Sequence, residues 1–260
     1  MFAPHARHAL RHEGPHEVRN RRSPNVVNSP TVDAAGGISG CREERDAITS
    51  ADLEGLVRKI IVTMWTTLDG FVAGPDDEMD WLRLDDDVQT YEIDLVSAAD
   101  TLLLGRVTFN DFAGYWPRVA RNSAEQPASS RYAQILDGME KIAVSGSGQL
   151  TEWENTRRWP SVDTDTVLDL KNSPGRDVIV YGSLSLVNTL TELGLVDEFH
   201  LLVHPVLLRD GKPLLRPGKP LVDLQHLSTR MFPSGVAFTR YRPTIPRSPA
   251  APNAASTSNG

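Results

Sequence analysis

Cysteine is almost missing from this chain: Cys41 is the one cysteine among 260 residues. That excludes an intrachain disulfide and a cysteine zinc cluster, and with them the disulfide-held secreted class. Long apolar runs are missing too. No stretch approaches the roughly 18 consecutive apolar residues of a membrane span, and the early arginines precede no apolar segment of a secretory signal. An excess of basic charge is also lacking. The 27 Lys and Arg against 34 Asp and Glu leave a formal net charge of −7, which argues against a dedicated nucleic-acid binder. What remains is an acidic chain, 40% hydrophobic, long enough for one large domain. It has the character of a soluble cytoplasmic enzyme with a small-molecule substrate and no metal, nucleic-acid or membrane partner.

Residues 1–56 read as a disordered extension. Residues 1–28 are rich in His, Arg, Pro and Asn without helical or strand period, and residues 30–40 are small and polar. Neither stretch buries enough apolar surface to offset its ordering entropy. His5, His8, His12 and His16 lack the framework of a metal site and read as a solvated tail. Val57-Arg58-Lys59-Ile60-Ile61-Val62 looks like a strand that opens a domain. As a hypothesis, Val57 is an alternative start, which peptides from residues 1–45 in the natively expressed protein would disprove. Residues 243–260, rich in Pro, Ala, Ser and Asn, read as a disordered tail, so the folded unit is 57–242.

Within that unit strands and helices alternate. Strands are expected at 59–66, 101–105, 141–145 and 177–182, from β-branched and apolar runs. Helices are expected at 85–99, with aspartates in the first turn, at 107–116, stopped by Pro117, and at 129–138, closed by Gly138. Two more are expected at 163–171 and from the cap Ser183 to Leu193, closed by Gly194. The segments 198–205, 225–232 and 236–242 read as antiparallel strands. The fold class is therefore α/β, with a mixed, mostly parallel sheet covered by helices and extended by C-terminal antiparallel strands.

Three segments carry candidate chemistry. In Asp177-Val178-Ile179-Val180-Tyr181-Gly182-Ser183 an apolar strand turns at once into a helix, whose N-terminus suits a pyrophosphate; a plain strand-to-helix turn is the alternative. Leu104-Gly105-Arg106-Val107-Thr108 repeats that pattern and adds a guanidinium, which pairs with phosphate or makes a surface ion pair. A third strand ends at Ser145-Gly146-Ser147. Near the first strand, Asp69-Gly70 makes a turn whose carboxylate orients or protonates a substrate, or closes an Asx-turn. Asp80-Trp81 sets a carboxylate beside an aromatic platform, or a capping aspartate beside a core tryptophan. The run Phe199–Leu208 is more apolar than one exposed strand needs, so it is a central strand or covers a partner; His200 and His204 share one face of it, have no adjacent acidic partner and read as structural.

Taken in order, TLDGFVAG (67–74), MDW (79–81), LLLGRVTF (102–109), AGYWP (113–117), KIAVS (141–145), DVIVYGSLSLV (177–187), LVDEFHLLVHPVLLRDGKPL (195–214) and SGVAFTRY (234–241) resemble the bacterial dihydrofolate reductase-like proteins. These are related to the C-terminal reductase domain of the riboflavin-biosynthesis deaminase/reductase. The resemblance implies a three-layer sandwich, NADPH as hydride donor, a homodimer, and a pterin- or dihydrofolate-like or aminopyrimidine-ribose-type substrate. It implies that Gly182, Ser183, Leu184 and Ser185 hold the pyrophosphate, and that Gly105, Arg106, Thr108 and Ser145 hold the adenosine side with its 2′-phosphate. Thr67, Leu68, Asp69 and Ala73 would lie near nicotinamide and substrate. Apart from the resemblance, Trp81 and Trp116 are candidate substrate contacts, and Asp69 or Asp80, or a water held by one of them, is the candidate proton donor. The chain departs from the family in three ways. It lacks the cysteines of the fused deaminase, it reads Gly-Ser where dihydrofolate reductases commonly read Gly-Gly, and it does not show the motif order of true dihydrofolate reductases, where an acidic residue on the first helix binds the pterin and Asp80 is the nearest candidate here. A non-catalytic nucleotide-binding protein on the same scaffold is the alternative function.

Overall fold

The computed structural model describes residues 57–122 and 124–244. The readings of residues 1–56 and of 245–260, among them the four histidines and Cys41, lie outside the described residues. The first strand, β1 (Ile60–Thr67), is buried along its whole length and leads through a turn to the short β2 (Phe71–Ala73). Helix α1 (Asp86–Ala98) follows, capped by Asp85, whose carboxylate accepts from the Val88 N–H at 2.8 Å. Next come β3 (Ala99–Gly105), α2 (Arg106–Arg121), α3 (Pro127–Gly138) and β4 (Glu140–Val144). Strand β5 (Thr156–Trp159) and α4 (Thr164–Asn172) precede β6 (Asp177–Tyr181) and α5 (Leu184–Glu192). The chain closes with β7 (Glu198–His204), β8 (Lys212–Pro213), β9 (Leu224–Met231) and β10 (Ala237–Pro243).

Eight strands form one sheet in the order β5-β4-β3-β6-β1-β7-β10-β9, and β2 pairs with β8 in a separate ribbon. All pairings from β5 to β7 are parallel; β10 runs antiparallel to both β7 and β9. Helices α4 and α5 pack on one face, over Ile60, Val62, Val178 and Val180. Helices α1, α2 and α3 pack on the other, over Ile61, Leu102, Leu104 and Ile179. The sandwich expected from the sequence is present, with corrections of detail. Strand β7 is antiparallel only to β10; to β1 it is parallel, because it completes a strand–helix–strand crossover from β6 through α5, and such crossovers return parallel. Its apolar run is explained by its interior place between β1 and β10.

Pro117 does not stop α2, which continues one more turn to Arg121. The proline's ring is buried in the core side of the helix, and the Arg118 guanidinium donates to the Gly114 carbonyl beside the break. Strand β5 was not foreseen because three of its four residues are exposed and only Trp159 is buried. Strand β10 extends through Pro243, and the Thr244 N–H donates to the Asp223 carbonyl, so order reaches slightly past the expected boundary.

At the end of β7, His204 is fully buried between Trp65 and Trp81. Its Nδ1 accepts the Arg83 backbone N–H at 3.1 Å. Burial, then the positive charge of Arg83, lowers its pKa to about 4. The unfolded chain therefore takes up this proton first as pH falls. The resulting loss of stability begins near pH 6.5, the free histidine value, and levels off below about 4. His204→Gln keeps an acceptor for Arg83 and cannot titrate. We expect its stability to fall less than the parent's between these pH values, by on the order of 3 kcal/mol. Urea unfolding at pH 7 and pH 4 measures the difference, and parallel losses in both proteins would refute it.

Candidate functional site

Parallel pairing sets the C-terminal ends of β4, β3, β6 and β1 side by side. At about 4.8 Å per strand, this edge is about 14 Å long. Two helices start on it, α2 from Gly105 and α5 from Ser183, and neither N-terminus has a side-chain cap. This contrasts with α1 and α4, whose first turns are capped by Asp85 and Asp163. The uncapped N–H groups and dipoles give the edge positive potential.

The two turns interlock. Gly182 and Ser183 are both left-handed, with φ of +52° and +55°. That geometry swings the Ser183 side chain away from the helix it was expected to cap. Its Oγ lies 1.8 Å from where a Cβ on Gly105 would stand. In return, a Cβ on Gly182 would meet the Thr108 Oγ1 at 3.3 Å. Gly182 thus lacks a side chain for the sake of Thr108 beneath it as well as for any ligand above. Thr108 itself is buried. Leu184 is half-buried against the first core, and Ser185 is exposed.

Beside the α2 terminus, Arg106 is exposed and its side chain lies along Gly148. Ser145, buried at the end of β4, donates its hydroxyl to the Ser147 carbonyl at 2.7 Å. Arg158 of β5, a residue the sequence reading missed, donates to the Ser145 carbonyl at 2.8 Å and its hydroxyl at 3.3 Å. Among the described residues neither Arg106 nor Arg158 makes a salt bridge, whereas Arg157 pairs with Glu140.

At the β1 end, the Thr67 hydroxyl donates to Asp69 Oδ1 at 2.5 Å and accepts the Phe71 N–H at 3.1 Å. Asp69 also accepts the backbone N–H groups of Leu208, at 3.2 Å, and Arg209, at 2.8 Å. The Thr67 hydroxyl foremost, helped by these amides, holds its carboxyl below the usual carboxylate range. Asp69 is therefore a carboxylate anchor that ties the loop after β7 to the turn after β1. Leu68 beside it is exposed.

The remaining expected residues divide. Thr67 pairs in register with His204, against whose ring Trp81 packs edge-on at 5.2 Å, so Trp81 borders the β1 end as a buried core residue. Asp80 before it is exposed. Ala73 is fully buried in the cluster with Trp65, Met79 and Trp81. Trp116 is ten residues along α2 from Arg106, about 15 Å away along the axis. It packs there with Tyr115 and Tyr132, so the helix carries it away from the edge. His200, read as lacking an acidic neighbour, contacts Glu198 Oε2 at 3.1 Å on the same sheet face. The acidic residue of α1 that faces the sheet is Glu92, not Asp80. Its place in the buried stripe Val88, Glu92, Leu95, Val96 was a readable sign.

Residues 58–238 match the family described as the RibD C-terminal domain. The chain belongs to this family. Among its RibD-domain relatives, YyaP of Bacillus subtilis (strain 168), itself uncharacterised, is 37% identical over 188 residues, covering 71% of this chain and 94% of YyaP. A protein from Shewanella sp. PV-4 assigned to riboflavin biosynthesis superposes with a TM-score of 0.53 at 18% identity, covering 72% of this chain and 99% of that one. RibD of Acinetobacter baumannii superposes with a TM-score of 0.55 at 14% identity, covering 73% of this chain and 59% of RibD. The RibD-domain fold is thus the dihydrofolate reductase-like sandwich anticipated from the motifs. Among the described residues no helix is long and apolar enough to cross a membrane.

The interlock makes a direct forecast. Gly105→Ala should cost about 1–3 kcal/mol by forcing Ser183 out of place. Adding Ser183→Gly, which removes the obstructing side chain and suits a positive φ, should recover most of it. Thermal unfolding of the two single variants and the double variant measures the coupling; simple additivity would dismiss it.

Proposed function

We propose that this chain is an NADPH-dependent reductase acting on a small heterocyclic substrate, pterin- or dihydrofolate-like or of the aminopyrimidine-ribose type. The observation that carries this reading is the pair of uncapped helix termini on neighbouring strands, with unpaired arginines at one end and the Thr67–Asp69 turn at the other. Family membership supports it. The backbone N–H groups of Ser183, Leu184 and Ser185 would bind the pyrophosphate, with Gly182 leaving room above the strand. Gly105, Arg106 and Ser145 would take the adenosine side, with the Arg106 guanidinium on the 2′-phosphate. When bound, the reduced nicotinamide supplies a hydride.

The chain's own groups do the rest. Leu68, exposed beside the β1 end, would cover the nicotinamide and keep water out. Thr67 and Asp69 hold the two loops that shape the substrate end. Asp69 stays ionised at neutral pH, so its carboxylate orients a water that delivers the proton, with exposed Asp80 as the second such group. The alternative, a nucleotide-binding protein without turnover, draws on that same ionised Asp69. NADPH binding without oxidation in the presence of dihydrofolate, pterins and aminopyrimidine ribosides would favour it.

A homodimer completes the reading. Strand β9 ends the sheet with both faces exposed and carries Leu224 and Met231 into solvent, a surface a second copy would cover. Light scattering should return a dimer, and a monomer across micromolar concentrations would remove it. For the cofactor, NADPH should bind about ten- to a hundredfold more tightly than NADH, and Arg106→Ala should erase most of that preference. Calorimetry with both nucleotides tests this; equal affinities in the parent would give Arg106 another role.

A further inference from the structure

Glu92 is a buried carboxyl set behind the edge residues. It is 7% exposed, in the second turn of α1, facing the sheet. Its Oε1 accepts the Trp65 indole N–H at 3.0 Å, and its Oε2 accepts the Tyr181 hydroxyl at 2.6 Å. Trp65 stands two residues before Thr67, and Tyr181 stands immediately before Gly182. The two strands are already in register through Thr63 and Tyr181. One side chain from the covering helix therefore clasps the last residues of both strands, just behind the points where they leave the sheet.

Stability alone is a poor reason for such a group. Burial pushes the Glu92 carboxyl's pKa up, which marks the cost of its charged form. A well-packed apolar residue is often as stable as a buried ionisable one. What the carboxyl adds is direction, since it demands donors at fixed places: the indole of Trp65, the hydroxyl of Tyr181 and, from α3, the hydroxyl of Tyr132. Tyr181 is also held from α2, by Phe112 with ring centroids 5.8 Å apart. The end of β6 is thus fixed from two helices before the left-handed turn begins.

We propose that Glu92 is a positioning residue for the dinucleotide site: by holding Tyr181 and Trp65 together it sets the Gly182–Ser183 turn relative to the end of β1. This rests on the reading of that turn as the pyrophosphate site. The test is NADPH calorimetry and thermal unfolding of Glu92→Leu, Glu92→Gln and Tyr181→Phe. Val167→Ala, a core truncation in α4 on the opposite face, is the control. Glu92→Leu and Tyr181→Phe should each weaken NADPH about tenfold. Glu92→Gln should weaken it less than about threefold, because its oxygen still accepts from the indole and its amide donates to the tyrosine oxygen. Val167→Ala should lower the Tm without moving the Kd. Parental NADPH affinity in Glu92→Leu, or equal losses for Leu and Gln, would overturn the role. Should Glu92→Leu not fold, unchanged affinity in Tyr181→Phe overturns it. A parent chain that binds no NADPH removes the dinucleotide reading and this role together. A parent that binds, and loses its preference in Arg106→Ala, while Glu92→Leu binds normally, removes this role alone.

Discussion

The hydroxymethyl group of Ser183 lies where Gly105 has no side chain, and the geometry of the whole edge depends on that contact. It brings the turns after the neighbouring strands β3 and β6 into close contact. Two left-handed residues in succession are needed to reach it, one of them not a glycine, which is a strained choice that surrounding packing must sustain. The support is visible beneath: Thr108 under Gly182, Phe112 against Tyr181, and the fully buried central strands behind them.

The edge that results runs against the charge of the molecule. A chain with a net charge of −7 leaves Arg106 and Arg158 without carboxylate partners on one short stretch of surface, next to two helix termini of the same sign. Several other cations do find carboxylates: Lys59 and Arg240 share Glu198, Lys171 meets Asp197, and Lys212 meets Asp77. The edge therefore carries local positive potential inside a globally acidic surface.

Much of this was legible in the residues. The apolar runs ending in Gly105 and Gly182 announced both strand ends, because an apolar strand followed by glycine and a helical period has few other readings. Asp85 and Asp163 announced the helices they cap. What escaped were features decided by tertiary neighbours. Ser183 has the composition of a cap, but its backbone conformation denies it that function. Pro117 has the look of a terminator, but its ring finds a buried niche. Arg158 lies in a strand too exposed to signal itself, and Asp69's partners, Leu208 and Arg209, are far along the chain. Trp116 was grouped with the site by motif order, whereas helical rise carries it elsewhere.

The ribbon of β2 and β8 binds two distant stretches into one mechanical piece. Residues 68–78 and 206–214 are joined by Asp69 to Leu208 and Arg209, by the pairing of Phe71 and Ala73 with Pro213 and Lys212, and by Lys212 with Asp77. Neither stretch can leave the sheet without breaking its contacts to the other. Sequence drift in the later stretch is therefore felt in the turn after β1, even where no altered residue touches that turn.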